Sequence, residues 1–99
     1  LGTYDILTSD KKIHDDYRIK YLKEHIDQIG KCIDEGIPVI GYTSWGCIDI
    51  VSAGTSERSK RYGYIYVDAD DYGQGTWKRY KKDSFYWYKK VIESNGNVL

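Results

Sequence analysis

The run Ile37-Pro38-Val39-Ile40-Gly41-Tyr42-Thr43-Ser44-Trp45 decides the fold class. Its first six residues form a continuous apolar stretch that does not alternate with polar side chains. Strands of parallel sheets, which helices cover on both faces, have this pattern. We therefore predict that residues 39–45 are a buried parallel strand of an α/β fold.

The segment before this strand is predicted to be an amphipathic helix. Asp15 or Asp16 can cap its first turn. Gly36 is a plausible C-terminal stop, and Pro38 prevents continuation of the helix. One apolar face recurs at steps of three and four residues: Ile19, Leu22, Ile26, Ile29 and Ile33.

The segment after the strand is predicted to be a long loop, then a hairpin, then a helix. The loop covers residues 46–59, and a loop this long in a small domain is usually functional. Residues 64–67 and 77–80 can pair as a hairpin. Asp83 or Ser84 caps the last helix, which ends at Asn95-Gly96 after the apolar stripe of Phe85, Tyr88, Val91 and Ile92.

One buried parallel strand cannot form a sheet by itself, and the other predicted elements offer it no parallel partner. The 99 residues also contain no methionine and begin with Leu1. Both observations predict that the chain is a piece of a longer protein.

Composition narrows the class of protein. The formal net charge is zero, so no overall field attracts nucleic acid or an anionic membrane. No apolar run approaches the roughly 20 residues of a membrane span, and no signal peptide is recognised. Cys32 and Cys47 are too few for a disulfide scaffold. We expect reduced thiols and a cytoplasmic location.

The aromatic side chains point to ligand binding. There are 11 tyrosines and three tryptophans but one phenylalanine, and Tyr and Trp combine an apolar ring with a polar tip. Trp45 lies at the end of the predicted strand, and Lys60 and Tyr62 follow the long loop. An indole face with hydroxyl and ammonium donors suits a sugar ring that carries a phosphate.

At this level of detail the chain resembles glycoside hydrolase family 1, most closely its bacterial 6-phospho-β-glucosidases. The match covers essentially the whole chain. It is carried by IHDDYR and the helix after it (13–26), GYTSWGCID (41–49), VSA (51–53), KRYGYIYVD (60–68) and KKDSFYWYKKVI (81–92). Cys47 departs from the family, which usually has a proline there.

The resemblance implies that residues 1–99 are the C-terminal part of a (β/α)8 barrel rather than a complete domain. The helix of residues 19–33 would pack outside the barrel, and residues 39–45 would be strand eight. Residues 84–95 would be the closing helix. The long loop would then lie at the C-terminal face, where barrel active sites are built.

The resemblance also implies retaining hydrolysis by two glutamates about 5 Å apart. The family holds them in Asn-Glu-Pro and Glu-Asn-Gly contexts, and neither motif occurs here. We therefore assign no catalytic residue to this chain, expect the nucleophile just before Leu1, and expect the chain alone to be inactive. No cofactor is implied, and neither the two histidines nor Asp68, Asp70 and Asp71 have the spacing of a metal site.

Substrate-binding residues are implied at five positions. Trp45 would be the floor of the sugar site, and Lys60 and Tyr62 would bind the 6-phosphate. Ser52 and Ala53 stand where ordinary β-glucosidases of the family carry Glu and Trp. Serine would remove a charge that repels phosphate, and alanine would open space for it.

The implied partners are a phosphorylated disaccharide or an aryl-β-glucoside 6-phosphate, and the preceding part of the barrel. Nucleic acid and membrane are not expected. Two alternatives use the same aromatic side chains. One is a stand-alone carbohydrate-binding module built on Trp45, Trp77 and Trp87, and the other is a small RNA-binding domain built on residues 78–82.

Overall fold

A computed structural model describes all residues from 1 to 99. Its elements are α1 (Asp16–Asp34), β1 (Ile65–Val67), β2 (Arg79–Lys81) and α2 (Asp83–Glu93). The two helices contact each other, and α2 also contacts β2. The chain is thus a small α/β unit in which long irregular segments lie between the regular elements.

α1 forms where the apolar repeat predicts it, but its N-terminus is built differently. Asp15 occupies the N-cap position and makes no side-chain hydrogen bond to its own helix backbone. Its carboxylate instead accepts the backbone N–H of Ser84 at 2.9 Å and pairs with Arg18 at 2.5 Å. Asp15 is thus the N-cap residue of α1, one of the two predicted positions, but its side chain bonds to the first turn of the other helix instead of to α1.

The predicted strand at residues 39–45 is not formed. These residues belong to no ladder, and Ile40 is completely exposed. The reason is backbone hydrogen bonding, since β1 and β2 pair with each other and leave no strand beside residues 39–45. A strand exists only through a neighbour that accepts and donates its ladder hydrogen bonds.

The hairpin is confirmed with shifted bounds. β1 and β2 are antiparallel, with Ile65 opposite Lys81 and Tyr66 opposite Tyr80. In the connecting turn, Asp70 accepts the backbone N–H groups of Tyr72 and Gln74. Asp70 thus stabilises a local turn, as expected for a solvated acidic stretch.

α2 confirms the last predicted helix, except at its first residue. Lys82 is the N-cap, so Asp83 and Ser84 lie inside the first turn. At the other end, Asn95 and Gly96 adopt positive φ values of 52° and 79°. The N–H of Gly96 bonds to the carbonyl of Val91, which closes the helix as glycine commonly does.

A network of six buried charged side chains lies between these elements. Lys82 Nζ lies 2.7 Å from both Asp5 and Asp49. Arg18 pairs with Asp5 at 3.2 Å as well as with Asp15, and Arg61 pairs with Asp49 at 3.2 Å. Three acids and three bases balance, which offsets the large cost of removing each charge from water.

The network joins segments far apart in sequence, from the N-terminal loop to the start of α2.

No helix of the structure has both the length and the apolar composition needed to cross a membrane.

Candidate functional site

The segment from residue 60 to 63 has the bridge residue Arg61 between bends at Lys60 and Gly63, and its backbone is held on both sides. Arg61 and Thr3 exchange both backbone hydrogen bonds, at 2.8 and 3.0 Å, as an antiparallel bridge. The N–H of Gly63 donates to Asp49 Oδ1 at 3.0 Å. The Arg61 side chain is buried, whereas Tyr62 lines a pocket at the surface and Lys60 is half-buried.

The structure brings Ser52 and Tyr62 together. Their hydroxyl oxygens are 3.1 Å apart, and the backbone N–H of Thr55 donates to Ser52 Oγ at 3.3 Å. Ser52 is 1% exposed, because the turn closed by its backbone bonds to Glu57 and Ser56 covers it. The two hydroxyls therefore form a fixed pair, with Tyr62 the more accessible member.

Trp45 and Tyr62 line one pocket of about 230 Å³. Trp45 is 63% exposed, so its ring face is available to a ligand. Tyr64 lines the same pocket from a buried position, and burial raises the pKa of its phenol to about 12. The phenol of Tyr64 therefore stays protonated and neutral at physiological pH.

Tyr62 is also held from below by Gly2. A Cβ at position 2 would lie 2.4 Å from the Tyr62 ring, which is far inside van der Waals contact. Only glycine fits there without moving the phenol. The N-terminal loop is thus in direct contact with Tyr62, one of the residues predicted to bind the phosphate.

Lys60 and Ala53 are placed without partners of their own. Lys60 is half-buried and its ammonium group makes no ion pair within the chain. Ala53 is exposed on the loop. Of the five residues predicted to bind substrate, the structure brings together Trp45, Ser52 and Tyr62, while Lys60 is adjacent to Tyr62 in sequence.

Asp71 fastens the loop just before Lys60. Its Oδ1 accepts the backbone N–H groups of Arg58 and Ser59, both at 2.7 Å, and its Oδ2 accepts the Ser59 hydroxyl at 2.8 Å. These bonds, from the Ser59 backbone first and then its hydroxyl, lower the pKa of the Asp71 carboxyl. Arg58 also lies over the Trp77 ring, 4.6 Å from its centroid.

Sequence reasoning missed Asp49 and Asp71, which hold the two ends of this segment. Asp49 lies between Ile48 and Ile50, and a lone carboxylate within an apolar run was the available signal. Asp71 gave no such signal, since it lies among exposed turn residues. The inward orientation of Arg61, expected from an extended backbone, is confirmed.

The basic run considered for RNA binding loses one of its members. Lys82 is fully buried in the charge network and cannot reach a phosphate backbone. No group of three or more His, Cys, Asp and Glu side chains is placed to hold a metal ion.

Comparison with known proteins identifies the family to which the chain is similar. The sequence profile of glycosyl hydrolase family 1 matches residues 1–97. The chain is 59% identical to the 6-phospho-beta-glucosidase AscB of Escherichia coli over 99 residues, which cover the whole chain and 21% of that protein. It is 55% identical to a 6-phospho-beta-glucosidase of Clostridium longisporum, again over the whole chain and 22% of the relative.

Among solved structures, the family 1 β-glucosidase of Thermotoga maritima superposes with a TM-score of 0.84 at 43% identity. The alignment covers 96% of this chain and 20% of that one. The chain therefore spans about a fifth of the length of the relatives it matches. These matches do not support a stand-alone carbohydrate-binding module. Together with the profile match across 97 of 99 residues, they show that the chain belongs to glycoside hydrolase family 1.

Proposed function

We propose that this chain is the C-terminal part of the barrel of a retaining 6-phospho-β-glucosidase, and that it supplies the phosphate pocket and the sugar platform. The observation that carries the proposal is the hydroxyl pair of Ser52 and Tyr62, 3.1 Å apart, with the unpaired Lys60 two residues before Tyr62 in the sequence. The named relatives with this activity, at 55–59% identity, support the same assignment.

The donor set fits a phosphate monoester. Such a group carries a charge of about −1.5 to −2 at neutral pH and three acceptor oxygens. Lys60 offers a charged donor that no carboxylate of the chain neutralises, and Tyr62 offers a phenolic O–H. Ser52 accepts the Thr55 N–H, so its own proton can go to Tyr62 or to a phosphate oxygen.

Trp45 supplies the complementary apolar surface. Its exposed indole lines the pocket that Tyr62 also lines, so a sugar ring on Trp45 would present an outer substituent toward the hydroxyl pair. Ala53 is exposed and small, which leaves room beside that substituent. The substrate class is therefore a β-glucoside phosphorylated at O6.

The proposal includes inactivity of the 99 residues alone. Retaining hydrolysis needs two carboxyl groups about 5 Å apart at the sugar, one as nucleophile and one as acid/base. Of the four glutamates, Glu57 holds the Tyr4 hydroxyl at 3.2 Å and Glu93 pairs with Lys89 on the exposed face of α2. Glu24 and Glu35 are exposed on or after α1.

The test is a chimera in which this chain replaces the matching 99 residues of the Escherichia coli relative. Lys60→Ala should raise KM for p-nitrophenyl β-glucoside 6-phosphate by about 10- to 100-fold, the loss of one charge-assisted hydrogen bond. KM for the plain glucoside should change little. Lys20→Ala, an exposed lysine of α1 without an ion pair, is the matched control.

A folded chimera that cleaves neither substrate would contradict the assignment to this activity. An equal rise of KM for both substrates would remove Lys60 from the phosphate site. Turnover by the 99 residues alone would contradict the inactivity claim.

A further inference from the structure

We propose that Arg61 is a positioning residue for phosphate recognition, acting through Lys60 and Tyr62 without touching the ligand. The inference rests on the proposed function and adds a residue that determines the preference for phosphorylated over plain glucosides. It starts from the contrast between three consecutive side chains: the central one is buried, while Tyr62 lines the candidate pocket and Lys60 is half-buried without an ion pair.

Several contacts hold the Arg61 side chain in one position. It is 6% exposed, and its Nη1 donates to the carbonyl of Val67 at 2.7 Å and to Asp49 at 3.2 Å. Its Nη2 donates to the carbonyl of Ala69 and to the hydroxyl of Tyr66, both at 3.2 Å. The guanidinium also lies 3.9 Å from the centre of the Tyr66 ring.

These bonds use the planar fork of arginine, which lysine cannot reproduce. Two carbonyls, one carboxylate and one phenol are reached from two nitrogens in a fixed plane. A lysine at position 61 keeps the charge that Asp49 requires but directs one flexible ammonium group to a subset of these acceptors. Charge and orientation can therefore be separated experimentally.

Backbone hydrogen bonds of Arg61 also restrain the residues on either side of it. The N–H and carbonyl of Arg61 are both bonded to Thr3, so the extended segment cannot rotate freely about its axis. Asp49 binds the Arg61 side chain and the Gly63 N–H, so one carboxylate holds both sides of Tyr62. Fixing Arg61 inward on this bridge therefore restrains the backbone that carries Lys60 and Tyr62.

Gly63 shows how closely this segment is fitted. A Cβ at position 63 would lie 2.4 Å from the carbonyl carbon of Ile48 and 2.6 Å from the backbone nitrogen of Asp49. The backbone at Gly63 therefore has no room to shift toward residues 48–49, so a rearrangement after loss of the Arg61 bonds falls on the neighbouring residues Lys60 and Tyr62.

The test uses the same chimera and the ratio of KM for p-nitrophenyl β-glucoside to KM for its 6-phosphate. Arg61→Lys should lower this ratio by about tenfold, since misplacing Lys60 and Tyr62 weakens charge-assisted bonds to the phosphate. kcat on the plain glucoside should stay within about twofold, because the side chain touches no reacting atom.

Tyr66→Phe is the second variant, for the case that Arg61→Lys does not fold. It removes one acceptor of Arg61 without changing charge or volume, and should lower the ratio by about two- to threefold. The matched control is Val91→Ala, which removes buried volume from α2 at a position outside the charge network and the pocket shared by Trp45 and Tyr62. It should reduce stability and leave the ratio unchanged.

The outcomes separate this inference from the proposed function. If Lys60→Ala lowers the ratio while Arg61→Lys and Tyr66→Phe leave it at the parent value, Arg61 is merely structural and the inference is overturned. If Val91→Ala lowers the ratio as much as Arg61→Lys does, general destabilisation explains the effect and the inference is also overturned. If Lys60→Ala leaves the ratio unchanged, the phosphate assignment itself is wrong.

Discussion

Lys82 Nζ lies 2.7 Å from Asp49 Oδ1, and both side chains are completely buried. The same ammonium group lies 2.7 Å from Asp5, so one lysine at the start of α2 ties the N-terminal loop to the residue that holds Arg61. The charge network therefore fixes the positions of the segments that form the candidate site. It fixes residues 60–63 relative to both helices, and one of its members, Arg18, also lines the pocket shared by Trp45 and Tyr62.

Lys82→Met should destabilise the chimera strongly. The substitution leaves Asp5 and Asp49 buried with one cation fewer, and breaking a buried pair in this way costs about 3–5 kcal/mol. The measurement is the free energy of unfolding from urea titration. Lys89→Met is the matched control, since Lys89 pairs with Glu93 on an exposed face and its loss should change stability by less than about 0.5 kcal/mol.

Equal stability of the two variants would mean that the network contributes no more than a surface ion pair. That result would also weaken the case for Arg61 as a positioning residue, because the two depend on the same Asp49 carboxylate.

Ser52→Glu should convert the chimera toward plain glucosides. The new carboxylate would replace the buried Ser52 hydroxyl behind Tyr62, so that the hydroxyl pair is lost and a negative charge is added next to the proposed phosphate site. We expect KM for the 6-phosphate to rise by about 100-fold or more, with a much smaller change for the plain glucoside. Steady-state kinetics on both substrates measure the shift.

Thr55→Glu is the control for charge alone, because Thr55 is exposed on the same turn. A similar rise of KM in both variants would show that any added negative charge near the loop suffices. The specificity argument for Ser52 would then be lost.

Sequence patterns predicted the local elements of this fold because their signals are local. The three-and-four repeat of α1, the hairpin residues and the Asn95-Gly96 stop each lie within one element. The strand predicted at residues 39–45 is absent because a strand depends on its neighbours. Ile40 is left exposed where a parallel sheet would bury it. Apolar composition indicates what a segment can bury, not whether a partner is present.

The charge network escaped prediction for a related reason. Lys82 and Asp15 look like solvated residues at helix starts, yet both are fully buried, and their partners lie 77 and 69 positions away in sequence. Aspartate and lysine are rarely buried unless paired, and a sequence does not show distant pairs. The sequence itself shows the indole, ammonium and phenol groups of Trp45, Lys60 and Tyr62, whereas the specific roles of the five site residues come from the family resemblance and stay predictions.

Asp71→Ala should loosen the loop that precedes Lys60, whereas Asp70→Ala should not. Asp71 accepts three hydrogen bonds from Arg58 and Ser59, while its neighbour Asp70 serves only its own turn. We expect Asp71→Ala to raise KM for the 6-phosphate by about three- to tenfold, with no such rise for Asp70→Ala. Equal effects would separate the loop anchor from phosphate binding.

The contribution of Asp71 should also depend on pH in one direction. Hydrogen bonds from Ser59 lower the pKa of its carboxyl in the folded state. The stabilisation is therefore fully present above the unfolded-state value of about 3.9 and is lost as pH falls through the lower folded-state pKa. Urea titrations of parent and Asp71→Ala chimeras should differ by a constant amount at neutral pH and converge in acid. A difference that grows in acid would contradict this sign.

The 99 residues on their own should not unfold cooperatively. Only 15 residues are buried, and a groove between the helices is lined by side chains that remain exposed, among them Ile33 at 51%, Ile40 at 104% and Ile92 at 64%. Contiguous apolar surface of this kind marks an interface, and without its cover a chain binds dyes and aggregates. We expect the isolated chain to bind anilinonaphthalene sulfonate and to lose its helical signal gradually on heating.

Ile40→Lys distinguishes an interface from a badly packed core. In the isolated chain it should reduce dye binding and aggregation, since it places a charge on an exposed apolar face. In the chimera it should lower stability, because there the proposed barrel covers residue 40 and a buried unpaired ammonium group is costly. A sharp thermal transition of the isolated monomer, or an Ile40→Lys chimera as stable as its parent, would show instead that this face needs no cover.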